Sequence, residues 1–346
     1  MTVAERATTI PTSVNGQPFV ISATRKETMK TLGKLLMLIA ALVPSVGSAQ
    51  TYPTKMVTIV VPFPAGGSND AIARFLADGL GKMWKQSVIV ENRPGGGSSI
   101  GAANVAKAPA DGYRMVLVSS SYTTNAATRS DQPFDPIKDL RPACMVARGH
   151  VAVVTGTRVP ISSLSDLARE AKARPIFYGT AGIGSSQHFN AELLNDAMGI
   201  QMQSVPYKGG QEALIDLAGG RIDVVVGTLG GLLPYINSGK AKPIALLSKS
   251  RSAALPNVPT TVESGYPAAI AENYFAMFVP GGTPDAIVNK INRDIKTITH
   301  TPEGRDFLAK MDGEPTELTA AEVSSHVKKE IEYWSKLAKK LNIAAK

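Results

Sequence analysis

From Val57 onward the chain alternates short apolar runs, rich in β-branched residues, with stretches whose apolar positions return every three or four residues. The first pattern predicts strands and the second amphipathic helices. Strands are expected at Val57–Val61, Val88–Glu91, Met115–Val118, Val151–Val154, Ile176–Tyr178, Gln203–Val205, Ile222–Val226, Pro243–Leu247 and Tyr274–Phe278. Helices are expected near Ala71–Met83, Ser99–Lys107, Leu164–Ala173, Gln187–Met198 and Gln211–Gly219. Alternation of this kind predicts an α/β fold, a parallel or mixed sheet covered by helices. Near the C-terminus, Thr283-Pro284 places a cap and a proline before a helix Asp285–Ile298. Thr319 and Glu322 fit a capping box for a last helix, whose Val323, Val327, Ile331, Trp334, Leu337 and Leu341 share one face.

One pattern occurs twice. "TIVVPFPAGGSNDAIARFLADGL" is echoed about 115 residues later by "IFYGTAGIGSSQHFNAELLNDAMG", each a strand, a small-residue turn and an amphipathic helix. The repeat predicts two α/β lobes that each present one such loop to a shared cleft. At a strand-to-helix junction the first backbone N–H groups lack partners, and the helix dipole adds positive potential. Glycines let an anion approach those groups. Gly66-Gly67-Ser68 and Gly182-Ile183-Gly184-Ser185-Ser186 therefore suit a carboxylate or phosphate; each also fits a plain tight turn with a capped helix. Asp70 has two readings. It is a first-turn acid that favours the helix dipole, or it meets the donor end of a ligand.

Other chemistry is thin. "NRPGGGSSIGAANVAK" has a GxGxxxG spacing, but no acidic residue follows where a ribose would need one, so it reads as a loop and helix start. Neither Ser185 nor Ser186 sits in a GxSxG elbow, and the four histidines have no metal-ligand spacing. No cofactor or metal is expected. Cys144 is the only cysteine, which excludes an internal disulfide, and its apolar neighbours predict a small buried side chain. The net charge of +9 is scattered along the chain and aromatics make up 6%, which argues against a nucleic-acid partner.

"MKTLGKLLMLIAALVPSVGSAQ", from Met29, has a short basic region, an apolar core too short for a membrane span and a small-residue cleavage site. It predicts an exported, periplasmic protein. Residues 1–28 are polar and aperiodic, as expected if translation begins at Met29. Cleavage after Ala49 leaves 297 of the 346 residues.

Six blocks carry a resemblance, in order along almost the whole mature chain: "YPTKMVTIVVPFPAGGSND", "VIVENRPGGGSSIGAANVAKAPADGY", "YGTAGIGSSQHFNAELL", "VPYKGGQEALIDLAGGRIDV", "LPNVPTTVESGYP" and "VPGGTPDAIVNKIN". The chain resembles the Bug-type periplasmic solute-binding proteins of tripartite tricarboxylate transporters. The resemblance implies a two-lobed Venus-flytrap fold of type II-like form, with chain crossovers near His150 and Asn273. Residues 50–149 and 274–346 would form lobe 1, and 150–273 lobe 2. It implies that Phe63, Ala65, Gly66, Gly67 and Asp70 grip a ligand carboxylate with Thr180, Gly182, Gly184, Ser185 and His188; Ser68 joins them on the anion argument. Two loops depart from the common family pattern. "SSSYTTNAA" offers Ser120 and Tyr122 after the third strand. "DVVVGTLGG" offers Thr228, and Gly227 stands where many relatives carry Asp or Asn, which would leave room for a bulkier, even aromatic, ligand.

The function so implied is a monomeric, non-catalytic receptor that delivers a small carboxylate to the permease subunits of a membrane transporter. The rivals are a receptor that feeds a sensor kinase and a secreted α/β hydrolase using Ser185 or Ser186 with His188. N-terminal sequencing of the mature protein should begin at Gln50; a mature chain retaining Val3 to Lys26 would overturn both the start at Met29 and the cleavage site.

Overall fold

A computed structural model describes residues 52–129 and 131–343, which form one compact unit. The expected leader, with its start at Met29 and cleavage after Ala49, lies outside the described residues. In chain order the strands are β1 Val57–Val61, β2 Val88–Asn92, β3 Arg114–Ser119, β4 Leu140–Gly156, β5 Ile176–Thr180, β6 Met202–Pro206, β7 Val224–Thr228, β8 Ala241–Leu246, β9 Glu272–Pro280 and β10 Gly313–Pro315. The helices are α1 Ser68–Trp84, α2 Ser99–Ala106, α3 Ser121–Thr128, α4 Leu164–Ala173, α5 Ser186–Met198, α6 Gly210–Gly219, α7 Leu229–Asn237, α8 Asp285–Thr299, α9 Pro302–Lys310 and α10 Ala320–Lys340.

The strands join in the order β2-β1-β3-β9-β4-β7-β5-β6, with β8 and β10 both attached to β4. β1 pairs in parallel with β2 and β3, and β5 with β6 and β7. In the sheet the two parallel groups are joined through the antiparallel pair β9 and β4. The β4 residues Leu140–His150 pair antiparallel with β9, whereas Val151–Thr155 pair with β7 and Ala152–Gly156 with β8. One strand thus serves two halves of the sheet and changes partners at His150/Val151. All five β1 residues are buried, as befits a parallel strand covered on both faces.

Each half has its own apolar layers. β1, α1 and α8 bury Ile59, Ile72, Leu76, Leu80 and Ile291 together in the first. β5, β7, α4 and α5 bury Tyr178, Val226, Leu167 and Leu194 together in the second. Cys144 is fully buried in the first core, as expected, and burial pushes its thiol up to about 12. The last helix starts with the expected capping box of Thr319 and Glu322. Its apolar face serves both halves: Val323 and Val327 pack with Tyr274 and Phe278, while Trp334 meets Phe189 of α5 edge-on at 5.4 Å. Lys340 adds an ion pair to Asp196 at 2.6 Å.

Three local readings differ from expectation. β4 begins eleven residues earlier than Val151, because Arg141, Pro142, Arg148 and Gly149 break the apolar pattern and two register shifts interrupt its pairing. "SYTTNAAT" forms α3 although its residues are weak helix formers; Thr124 and Thr128 hydroxyls bond carbonyls of the preceding turn. Pro284, not Thr283, occupies the cap of α8, one place before the helix proper.

Where β4 changes partners, a buried carboxylate ties the chain down. Asp312 accepts the His150 backbone N–H at 2.8 Å, pairs with its imidazole at 3.0 Å and accepts the Ser252 hydroxyl. The bond to Asp312 outweighs the partial burial of the ring and raises the His150 pKa above its ordinary 6.5. A raised histidine contributes its stability fully below the unfolded value and loses it as pH rises through the folded value. Unfolding free energy measured in urea should therefore fall as pH rises from the ordinary histidine value through the raised folded one, by a component that His150→Ala removes. An unchanged pH slope in that variant would show that the protonated ring contributes nothing.

Candidate functional site

Five helices begin where parallel strands end: β1 leads to α1, β3 to α3, β5 to α5, β6 to α6 and β7 to α7. In α/β sheets, ligands bind outside the carboxyl ends of strands, where such connections diverge. Here all five first turns reach one cavity of about 80 Å³, room for several water-sized groups. α1 contributes Gly67, Ser68 and Asn69, α3 Ser121, α5 Ser186 and Gln187, α6 Gly210 and Gln211, and α7 Thr228 and Gly231. Phe63, Pro64, Leu214 and Leu232 supply apolar wall. None of the described lining residues carries a charge. Positive potential in the cavity comes from the helix dipoles and their first-turn N–H groups, which suits an anion.

The two halves of the sheet touch around this cavity. Ser121 of α3 and Ser186 of α5 share a hydrogen bond between hydroxyls at 3.0 Å, and the Ser186 N–H donates to the Ser121 Oγ at 3.1 Å. Pro64 packs against Gly209 so closely that a Cβ there would sit 2.6 Å from its ring; a Cβ on Gly231 would sit 2.9 Å from the Ser68 Oγ. The glycine run at 95–97 meets the second loop too, for a Cβ on Gly97 would lie 3.3 Å from the Ile183 carbonyl oxygen.

Of the loop after β1, Phe63, Gly67 and Ser68 line the cavity, and Ala65 and Gly66 are exposed beside it. Asp70 faces away. It accepts the Gly66 N–H at 3.0 Å, the Arg74 Nε–H at 3.0 Å and the Asn92 side-chain amide at 3.0 Å, so both its oxygens are occupied. Burial alone would raise its pKa, but these three donors outweigh it and hold the carboxyl below its ordinary value. Asp70 braces the loop from behind and leaves the first-turn N–H groups of α1 to the cavity.

The loop after β5 is organised in the same way. Gly182 and Gly184 take positive φ values of 105° and 83°. The Ser185 hydroxyl caps α5 by accepting the His188 N–H at 3.4 Å, and the His188 Nδ1 accepts the Gly184 N–H at 3.3 Å. Burial lowers the His188 pKa, so the ring stays neutral. The Thr180 hydroxyl accepts the Gly182 N–H at 3.2 Å. These residues shape the loop, while their neighbours Ala181, Ser186 and Gln187 face the cavity. Sequence reasoning chose the capping register, one residue short of the lining one.

Two expectations on the remaining loops are corrected. Tyr122 is buried in the core, 4.8 Å from the Phe278 ring, with its hydroxyl donating to the Pro136 carbonyl at 2.5 Å. The helical turn of α3 carries it inward, and Ser120 is likewise turned away to donate to Asn273 at 2.8 Å. Gly227 opens no room for a bulky ligand, because the Gln187 side chain fills it: a Cβ there would meet the Gln187 Nε2 at 2.8 Å. Thr228 does line the cavity. The helix expected at Gln211–Gly219 is present, but its start also lines the cavity, a role not expected although "KGGQEA" repeats the paired glycines and helix onset of the first loop.

A two-part α/β sheet with a cavity ringed by helix N-termini defines a binding protein of the periplasmic-receptor type. The chain belongs to the tripartite tricarboxylate transporter family receptors (TctC), whose sequence profile matches residues 72–343. It is 33% identical over 311 residues to protein BugT of Bordetella pertussis, covering 87% of this chain and 95% of that protein. Among solved structures, periplasmic binding protein BugD superposes with a TM-score of 0.81 at 29% identity, covering 85% of this chain and all of BugD. An R. palustris protein with adipate gives 0.82 at 33% identity, covering 85% of this chain and 99% of that one. MatC from Rhodopseudomonas palustris with bound malate gives 0.79 at 26% identity, covering 82% and 99%.

Replacing Asp70 with alanine removes the acceptor of the Gly66 N–H and one of the two acceptors of the Asn92 amide, which keeps the Phe63 carbonyl. The variant should lose about 1–2 kcal/mol of unfolding free energy in urea. A wild-type denaturation curve would show that the brace is dispensable.

Proposed function

We propose that this chain is a periplasmic, monomeric solute receptor that closes over a small organic carboxylate and delivers it to a membrane permease. The observation that carries this reading is the convergence of five helix N-termini on a cavity whose described lining residues are all uncharged. Partial positive charge with no fixed counter-ion favours an anion over a cation or a neutral solute. The adipate and malate held by relatives of the same fold support a carboxylate as that anion.

In this reading residues 50–149 and 274–346 make one lobe and 150–273 the other, with the hinge where β4 changes partners and where β9 begins. The contacts of Ser121 with Ser186 and of Pro64 with Gly209 belong to the closed form. Binding stabilises closure only through contacts that the open form lacks, and a cavity shared by both lobes supplies them. The receptor is read as non-catalytic: the imidazole Nδ1 of His188 is engaged by the Gly184 N–H, and Ser185 serves as a helix cap.

The test is a thermal-shift screen of the purified protein against four-carbon dicarboxylates, citrate-like acids, amino acids and aromatic acids. A ligand at 100 times its dissociation constant adds about 2.7 kcal/mol of stability, so a binder raises Tm while remaining chemically unchanged. Gly67 has φ −86° and ψ 173°, which any residue adopts, and a Cβ there would find its nearest atoms at 3.9 Å. Gly67→Leu should therefore fold with a near-native Tm and abolish the shift. Turnover of a bound acid, or full binding by Gly67→Leu, would overturn the proposal.

A further inference from the structure

Gln187 is the cavity residue whose side chain the protein leaves unsatisfied. Its Oε1 is fully buried and has no hydrogen-bond partner among the described residues. Leaving a buried amide oxygen unpaired destabilises a protein unless something else completes it. The amide is not there by default, because two glycines make its place. A Cβ on Gly210 would come within 2.6 Å of the Gln187 Nε2, and a Cβ on Gly227 within 2.8 Å. Neither glycine has a positive φ to account for it. Both belong to the second half of the sheet, at the start of α6 and near the end of β7, and they flank the amide of a residue that lines the cavity.

Resting on the carboxylate reading, we propose that Gln187 reads a hydroxyl group on the ligand, so that the receptor selects hydroxycarboxylates over the corresponding plain acids. The helix N-termini take the carboxylate, which leaves Gln187 to meet a second group. A hydroxyl both donates and accepts, and so satisfies an amide in either of its two orientations. A methylene satisfies it in neither. An ammonium only donates, and it would be desolvated in a cavity where none of the described lining residues is acidic. Ser68, Asn69, Ser121, Ser186, Gln211 and Thr228 also bring polar side chains to the cavity, but of its described lining residues Gln187 is the one with a buried polar atom left without a partner, so its amide is the group that gains from a ligand hydroxyl.

The experiment measures dissociation constants by calorimetry for two pairs of probes, succinate with malate and glutarate with 2-hydroxyglutarate. Wild type should bind the hydroxylated member of at least one pair about tenfold more tightly, the worth of one buried hydrogen bond. Gln187→Leu should bring the two constants of that pair together, the preference being read as their ratio within the variant. Gly227→Ala keeps the glutamine but sets a methyl against its amide, and should erase the preference too. If wild type binds both members of each pair equally, or Gln187→Leu keeps the preference, the inference fails and the carboxylate reading stands. If none of the four acids binds, the inference fails, and if no other carboxylate shifts Tm either, the carboxylate reading falls with it.

Discussion

A helix that starts at a cavity brings N–H groups with no partner in its own first turn. Five such starts around one small space are tolerable only if something completes them, and among the described residues no charged side chain lines that space. Much of the surrounding structure follows from this constraint. The two glycine loops that lead into α1 and α5 are fixed from behind: Asp70 holds the Gly66 N–H, His188 holds that of Gly184, and Thr180 holds that of Gly182. The bracing groups take up the loop amides without adding a charge to the cavity wall. An acid placed on the cavity side would oppose the field of the helices, and Asp70 is turned the other way with its charge matched by Arg74.

The topology supplies the convergence. Parallel strands put every strand-to-helix junction of one group on the same edge, and the two parallel groups face each other because the antiparallel strands β9 and β4 join them. The long α10 reinforces the arrangement. Its first half lies on the sheet beside Tyr274 and Phe278, and Trp334 reaches Phe189 at the back of α5, one of the cavity helices. Asp312 performs a similar service near His150 through the Ser252 hydroxyl. The point at which β4 changes partners is therefore held by polar contacts, while the bodies of the two halves are held by apolar ones.

The fold was legible where a strong period met clear punctuation. β1, α1, β5 and α5 were readable because apolar runs of period two or 3.6 flanked paired glycines, and the Thr319–Glu322 capping box was readable from two residues. The first half of β4 and α3 were not, because their residues carry weak or broken patterns and tertiary contacts decide their state. For the site, anion chemistry was visible in the two glycine loops, but which side chains face inward was not. Ser185 and Ser186 differ by one position, and a helix start turns about 100° per residue, so the first became a cap and the second a lining group. Tyr122 shows the same effect: adjacent to a cavity residue, Ser121, it points into the core. Gln187 left no signal of its own, because its place is made by glycines 23 and 40 residues further on.

Binding an anion with dipoles alone has a consequence for release. A guanidinium carries its full charge wherever its helix moves, so a ligand paired with it keeps that partner when a cleft opens. Helix-terminus potential falls off within the first turn. In the proposed receptor the starts of α1 and α3 lie on one side of the cleft and those of α5, α6 and α7 on the other. Separating the sides removes part of the field and readmits water, and it parts Ser121 from the Ser186 N–H. The affinity of the closed form is then tied to closure itself, because neither half alone presents the full set of donors. Such a design lets a partner that pries the halves apart lower affinity steeply without competing for the ligand.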